Sequence, residues 1–148
     1  MKYFLDTNIC IYYLKGMYPG IVKNLLSKNP EDIKISAIVK AELLYGAEKS
    51  QTREKTKEKI YEFLLPFEIV GFNDEATEIY GKTREYLEKK GLIIGPNDLI
   101  LASAVIGYNG TLITNNVKEF KRIKELKIEN WIKEKKTPSP WRCRAGWK

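Results

Sequence analysis

The chain has 148 residues, of which 43% are hydrophobic and 30% are charged, and its formal net charge at neutral pH is +7. This length and composition predict a single soluble globular domain, and the apolar runs are too short to span a bilayer. The sequence contains no histidine. A Ser-His dyad, a His-ligated zinc site and a histidine general base are therefore excluded, and any hydrolytic chemistry would depend on carboxylates and a hard cation.

Apolar stretches of strand length alternate with longer amphipathic stretches along the chain. Strands are predicted at residues 3–6, 33–36, 68–72, 111–114 and 127–129. Helices are predicted at about residues 8–15, 20–28, 37–49, 52–65, 74–90 and 97–108. This alternation is typical of an α/β fold in which helices cover both faces of a parallel sheet.

The two ends of the chain differ in character. The N-terminus enters the first strand without a secretory signal, so we expect a cytoplasmic protein without a membrane segment. Residues 1–132 are predicted to form the domain. Residues 133–148 lack periodicity and are rich in Lys and Arg, which predicts a flexible basic tail or a segment foreign to the domain. Trp141 and Trp147 would allow this tail to contact nucleic acid.

Asp6 follows the first predicted strand, where two short polar residues, Thr7 and Asn8, come next. Ligands of open parallel sheets bind at the carboxyl ends of the strands, because the strand-to-helix loops meet there. A carboxylate at this point is a candidate site residue. It is equally a good N-cap for the helix that follows, and the residue alone does not separate the two interpretations.

Glu42 lies within the predicted third helix. Its neighbours three and four residues away are Ile38, Val39, Tyr45 and Gly46, a largely apolar stripe that we expect to face the sheet. A buried, unpaired carboxylate costs several kcal/mol. Glu42 should therefore meet a cation or a basic side chain, or lie at the rim of the core.

Two further carboxylates occur in the second half of the chain. Asp98 lies in the first turn of a predicted helix, where the helix dipole favours an acid whatever its function. Glu119 comes shortly after the strand that ends near Thr114, and it is either a site residue or an exposed acid in a Lys-rich turn. Thr114 and Asn116 have hydrogen-bonding groups that suit a phosphate, a metal ligand or their own turn.

Taken together, these carboxylates come from separated segments and lie near strand ends or on a helix of the core. Oxygen donors that converge in this way suit Mg²⁺ or Mn²⁺. Carboxylates held close together raise each other's pKa, and a divalent cation keeps them ionised. The pattern therefore predicts a divalent metal ion as cofactor.

Four motifs resemble those of a known family: Leu5-Asp6-Thr7-Asn8, then Ala41-Glu42-Leu43 with Tyr45-Gly46-Ala47-Glu48, then Gly95-Pro96-Asn97-Asp98, and finally Thr114-Asn115-Asn116 with Glu119-Phe120. Their order and spacing resemble the PIN domain, and specifically the VapC-type toxins of prokaryotic toxin-antitoxin pairs. The resemblance covers residues 1–131. It implies a three-layer α/β/α sandwich with a mainly parallel sheet of four to five strands.

The same resemblance implies a Mg²⁺- or Mn²⁺-dependent endoribonuclease that forms a homodimer and is inhibited by a VapB-type antitoxin. Asp6, Glu42 and Asp98 match the acidic triad of the family, with Asp6 and Asp98 as the metal ligands. Glu119 matches a fourth acidic position that completes the site through the outer shell of the metal. The polar residues expected to shape the site are Thr7, Asn8, Thr114 and Asn116.

Two alternatives to an enzyme stay open from the sequence. The first is a non-catalytic nucleic-acid-binding module, in which the basic surface binds and the acidic residues are helix caps. The second is a protein-interaction module that uses aromatic side chains such as Tyr12, Tyr13 and Tyr18 to bind a partner helix.

Overall fold

The computed structural model describes residues 1–132 of the chain. These residues form five strands: β1 (Tyr3–Leu5), β2 (Ile33–Ser36), β3 (Glu68–Val70), β4 (Thr111–Ile113) and β5 (Lys127–Glu129). They also form seven helices: α1 (Thr7–Lys15), α2 (Pro19–Ser27), α3 (Ala37–Lys49), α4 (Arg53–Leu64), α5 (Asp74–Lys89), α6 (Pro96–Gly107) and α7 (Val117–Phe120). A short 3₁₀ turn, Pro30–Asp32, leads into β2.

The five strands form one parallel sheet in the order β3-β2-β1-β4-β5. β1 is the central strand, and its residues pair with β2 on one side and with β4 on the other. The chain builds outward from β1 to β3 and then returns to the opposite side of β1. The crevice at the carboxyl ends of β1 and β4 is therefore a topological switch point, which is where open α/β sheets bind ligands.

The core lies between the sheet and the helices. Phe4, Ile35 and Leu112 on the three central strands are fully buried. α3 directs Val39 and Leu43 into the same cluster. Helix α6 is buried almost continuously from Leu101 to Val105, so it packs as an interior helix. This α/β sandwich confirms the fold predicted from the alternating apolar stretches.

The differences from the prediction lie in short elements. β1 and β4 end one residue earlier than expected, because Asp6 and Thr114 already belong to the loops above the sheet. α7 and the 3₁₀ turn were not predicted, since four or fewer residues carry too little periodicity. Asn73 caps α5 as its residue type suggests, but the Ser36 side chain makes no capping bond to α3.

Several expectations fall outside what the fold tests. None of the helices within residues 1–132 has the length and apolar character needed to cross a membrane. The cytoplasmic location stays a prediction. The basic tail at residues 133–148, with Trp141 and Trp147, lies outside the described residues. The boundary between domain and tail at residue 132 likewise stays a prediction.

Gly110, just before β4, is expected to be required by packing. A Cβ atom at this position would lie 2.5 Å from Cε1 of the fully buried Phe4 ring. We expect Gly110→Ala to lower the free energy of unfolding by about 1–3 kcal/mol, because the core must shift to accept the methyl group. Gly81→Ala is the matched control. Gly81 lies within α5, and a Cβ atom added there would meet open space. The same change should therefore raise the free energy of unfolding in urea by about 0.5–1 kcal/mol.

Candidate active site

Asp6 lies directly above the carboxyl end of β1 and is only 7% exposed. Its Oδ1 accepts the backbone N–H of Ile9 at 2.8 Å, which caps α1. Its Oδ2 accepts a short hydrogen bond from the hydroxyl of Thr114, at the end of β4. Asp6 is therefore the N-cap of α1 and at the same time a carboxylate of the crevice, and its role as a site residue stays a prediction. One face of the carboxylate is held by α1 and the other by the neighbouring strand.

Glu42 of α3 reaches the same crevice and is held by two neutral donors. The hydroxyl of Thr7 donates to Glu42 Oε1 at 2.5 Å. The side-chain amide of Asn97, at the start of α6, donates to Glu42 Oε2 at 3.3 Å. These contacts join α1, α3 and α6 around one carboxylate. Asp98 follows Asn97 in the first turn of α6 and is half-buried.

Glu119 lies on α7, the short helix that follows β4. The side-chain amide of Asn116 donates a short hydrogen bond to Glu119 Oε2. The backbone N–H of Asn116 in turn donates to the hydroxyl of Thr114 at 2.9 Å. A continuous chain of hydrogen bonds therefore runs from Glu119 through Asn116 and Thr114 to Asp6. Asn116 therefore makes its hydrogen bonds within its own turn, to Thr114 and Glu119, and its role in shaping a site stays a prediction.

The four carboxylates are close enough to influence one another electrostatically. Burial raises the pKa of Asp6 from its ordinary value of 3.8 to about 6, against the lowering effect of the hydrogen bonds from Thr114 and Ile9. The charges of Asp98 and Glu42 raise this pKa further.

Asp98 shows the same coupling from its own side of the crevice. Its pKa is raised by burial first, and then by the charges of Glu42 and Glu119. The fold therefore brings Asp6, Glu42, Asp98 and Glu119, which are separated by up to 113 residues in sequence, into one negatively charged crevice.

The structure corrects one expectation about Glu42. The stripe that includes Tyr45 was expected to face the sheet, but the buried face of α3 is formed by Val39, Leu43 and Ala47, and Tyr45 is exposed. Glu42 is half-buried at the rim of the core, where its hydrogen-bond partners are the neutral side chains of Thr7 and Asn97. The rim position was one of the three solutions that the sequence allowed.

Two polar residues differ from what the sequence predicted. Asn97 was not among the predicted site residues, although its side-chain amide donates to Glu42. Its position directly before Asp98, in the first turn of α6, is the sequence signal that could have identified it. Asn8, which was predicted to shape the site, is exposed in the first turn of α1. Its role stays a prediction.

The donor set of the crevice fits a hard divalent cation. The side chains that converge here offer carboxylate, hydroxyl and amide oxygens. Cys10 is buried close to Asp6, and burial raises the pKa of its thiol, which keeps it protonated. In residues 1–132, no group of three or more acidic or thiol side chains is arranged to hold an ion by itself. Carboxylate and hydroxyl oxygens are the ligands that hard divalent cations prefer.

Comparison with known sequences agrees with this geometry. Residues 3–126 match the PIN domain family. The chain is 50% identical over 135 residues to Ribonuclease VapC2 of Rickettsia felis, which covers 90% of this chain and all of the relative. It is 34% identical over 131 residues to the tRNA(fMet)-specific endonuclease VapC of Salmonella typhimurium, covering 88% of this chain and 98% of that relative.

Solved structures give the same result. The VapBC2 complex of Rickettsia felis bound to a promoter DNA fragment contains a chain that superposes with a TM-score of 0.82 at 50% identity, covering 88% of this chain and 99% of that one. A chain of the DNA-bound VapBC complex of Salmonella typhimurium superposes with a TM-score of 0.83 at 34% identity, covering 88% and 98%. The chain therefore belongs to the PIN-domain family, within its VapC ribonuclease branch.

Proposed function

We propose that this protein is a Mg²⁺- or Mn²⁺-dependent endoribonuclease that hydrolyses phosphodiester bonds of RNA, and that it is the toxin of a VapBC-type pair. The observation that carries the proposal is the convergence of four carboxylates at the switch point of the sheet, those of Asp6, Glu42, Asp98 and Glu119. The pKa values of Asp6 and Asp98 are raised by burial and by the charges of the neighbouring carboxylates. The ribonuclease names of the relatives support the same reaction.

In this proposal Asp6 and Asp98 hold the divalent ion. When bound, the ion neutralises the negative charge of the phosphate and lowers the pKa of water. Thr114 and the Ile9 amide orient Asp6 from two sides, so that its carboxylate keeps one direction in the crevice. Such fixed orientation of the ligand is what the partners of a metal-binding carboxylate supply.

Glu42 and Glu119 are the candidates for orienting the attacking water and accepting its proton. Both are partly accessible and both are held by neutral donors, Glu42 by Thr7 and Asn97 and Glu119 by Asn116. Neutral donors orient a carboxylate without cancelling its charge, and this leaves it able to accept a proton. The lack of histidine in the chain is consistent with this division of roles.

The partner in this proposal is a VapB-type antitoxin, as in the complexes that contain the structural relatives. A groove of about 740 Å³ between α1, α2 and α4 supports binding of an apolar segment. Its walls carry apolar side chains that include Leu25, Leu26, Phe63 and Phe67. Grooves of this size and character suit the apolar face of a helix. The expected homodimer remains a prediction.

The alternative of a non-catalytic module makes a different prediction for metal binding. In such a module the acidic residues would be caps, and calorimetry would detect tight RNA binding without saturable binding of Mg²⁺ or Mn²⁺. The second alternative, a protein-interaction module that binds through these aromatic side chains, loses support because Tyr12, Tyr13 and Tyr18 are half-buried and pack against the core. Tyr12 and Tyr18 also contact each other edge to face at 5.1 Å between ring centroids.

The experiment that tests the proposal is cleavage of total tRNA and of a synthetic RNA by the purified chain in Mg²⁺. We expect Asp98→Asn to lower kcat by at least 100-fold, because one ligand of the ion is lost while the side chain keeps its size and one oxygen that accepts hydrogen bonds. Asp74→Asn is the matched control, since Asp74 lies in the first turn of α5 outside the crevice. Wild-type turnover by Asp98→Asn would remove Asp98 from the active site.

A further inference from the structure

An exposed aromatic ring lies next to the acidic crevice on helix α3. The Tyr45 side chain is 63% exposed, and it follows Glu42 by three residues on the same helix. Residues three apart on a helix have Cβ atoms about 5–6 Å from each other. The ring therefore lies about one nucleotide step from Glu42 at the edge of the crevice.

Packing does not explain the position of this ring. The core face of α3 is formed by Val39, Leu43 and Ala47, and Tyr45 projects away from it. A single exposed ring is common on protein surfaces, and it is the place of this one, three residues from Glu42 on the same face of α3, that makes it available to a bound strand.

Lys49 completes the surface beside the ring. Its Nζ lies 4.6 Å from the centroid of the Tyr45 ring. Lys49 is seven residues from Glu42 and lies on the same side of α3. Gly46 lies between Glu42 and Lys49 on this side of α3, and it has no side chain that would cover the surface between them. A continuous track of carboxylate, ring and ammonium group therefore leaves the crevice along α3.

We propose that Tyr45 and Lys49 form a nucleotide-binding subsite for single-stranded RNA beside the cleaved bond. One unpaired base stacks on the Tyr45 ring, and Lys49 contacts an adjacent phosphate. This inference rests on the proposed ribonuclease function and adds the element that holds the strand in line with the carboxylates. Stacking of bases on aromatic rings tolerates different bases, so the subsite contributes affinity and register more than sequence selection.

The first test measures binding without turnover, in the Asp6→Asn background, by fluorescence anisotropy of a labelled single-stranded RNA. We expect Tyr45→Ala to raise Kd by about 5- to 100-fold, and Tyr45→Phe to keep Kd within about twofold, because stacking needs the ring and not the hydroxyl. Lys49→Ala should reduce the slope of log Kd against log salt by about 0.7, the value for one phosphate contact to a single strand.

Tyr61→Ala is the matched control. Tyr61 is 50% exposed on α4, and the Nζ of Lys40 lies 5.7 Å from its ring centroid, so the pair resembles Tyr45 and Lys49 in composition. Lys40 lies on another side of α3 from Glu42. We expect Tyr61→Ala to bind and cleave RNA like the wild type.

The second test locates the stacked base. After the cut is mapped in the shortest RNA that the wild type cleaves, abasic residues are placed one at a time on either side of it. One abasic position is expected to raise KM of the wild type by a factor close to that of Tyr45→Ala, and to have no additional effect in that variant.

Two results would overturn the inference. One is unchanged RNA binding and cleavage by Tyr45→Ala, with the wild type active. The other is a change in the sedimentation behaviour of Tyr45→Ala, which would assign the ring to a contact between two copies of the chain. A wild-type chain that cleaves no RNA in Mg²⁺ or Mn²⁺ would instead refute the proposed function, so the two failures are distinguishable.

Discussion

Asp6→Asn is expected to abolish RNA cleavage and to make the metal-free protein more stable. Loss of activity follows from removal of a negative oxygen that is proposed to bind the divalent ion. The gain in stability follows from burial, because the ionised Asp6 carboxylate is nearly inaccessible to water and faces Asp98 and Glu42. A site that is built to bind a cation destabilises the protein when the cation is absent.

The size of the stability gain can be bounded from the pKa. A rise from 3.8 to about 6 corresponds to about 3 kcal/mol of destabilisation at neutral pH. Asn replaces Asp well as an N-cap, so the bond from the Ile9 amide is kept. The amide group of Asn has a single oxygen, however, and the Thr114 hydroxyl loses part of its present bond. We therefore expect a net gain of about 1–2 kcal/mol in urea unfolding at pH 7 with EDTA present.

The pH dependence of this effect has a definite sign. The unfolded chain ionises Asp6 near pH 4 and the folded protein near pH 6, so the folded state binds more protons between these values. Asp6 therefore lowers the stability of the metal-free wild type as pH rises from about 4 to about 6. Asp6→Asn should remove this loss, so the two proteins should have similar stability at pH 4 and differ most above pH 6. A variant that is less stable at every pH, or that still cleaves RNA, would contradict the role of Asp6.

Removal of divalent ions is expected to stop RNA cleavage by the wild type completely. EDTA should abolish turnover, and added Mg²⁺ or Mn²⁺ should restore it, because the carboxylate cluster has no basic side chain among its described partners that would replace the ion. Activity that is unaffected by chelation would rule out the metal-dependent reaction. The measurement is the initial rate of cleavage of one RNA before and after dialysis against EDTA.

The same ion should also stabilise the folded protein. At a concentration ten times its Kd, a ligand that binds only the folded state adds about 1.4 kcal/mol to the free energy of unfolding. We expect this stabilisation by Mg²⁺ to be larger at pH 8 than at pH 5, since the ion binds the ionised form of Asp6. Asp6→Asn and Asp98→Asn should lose it, and Asp74→Asn should retain it. Equal stabilisation of all four proteins would indicate that the ion binds elsewhere.

Most of the fold could be predicted from the chain, because each long element carries its own signal. The five strands and the six longer helices all begin and end within one residue of their predicted positions, apart from β3, which ends two residues early. The start of α5 is an example, because the Asn73 side chain accepts the backbone N–H of Ala76. This capping bond joins residues only three apart, so the local sequence is enough to predict it. α7 shows the limit of this reasoning. A helix of four residues is too short to show the hydrophobic periodicity of a helix in the sequence, although the position of Glu119 depends on this helix.

The sequence named the carboxylates that meet in the candidate site, but it did not predict the hydrogen bonds that hold them. Asp6, Glu42, Asp98 and Glu119 each had an ordinary structural explanation, and it was their common placement near strand ends or on a core helix, together with the resemblance to a family, that singled them out. The bond between Thr114 and Asp6 joins residues 108 apart. It exists because β1 and β4 are paired with Leu5 opposite Ile113, which places the next residue of each strand side by side.

The sequence by itself determined the alternation of strands and helices, the lack of imidazole and the oxygen-rich set of acidic and polar residues, because these properties depend on residue type and local spacing. Only the tertiary structure decided that β1 lies between β2 and β4, that Glu42 stands at the rim of the core, and that Asn97 holds it. It also decided that Tyr45 faces water beside the crevice. These outcomes depend on strand pairing and on which side of α3 packs inward, and both are set by the free energy of the whole core.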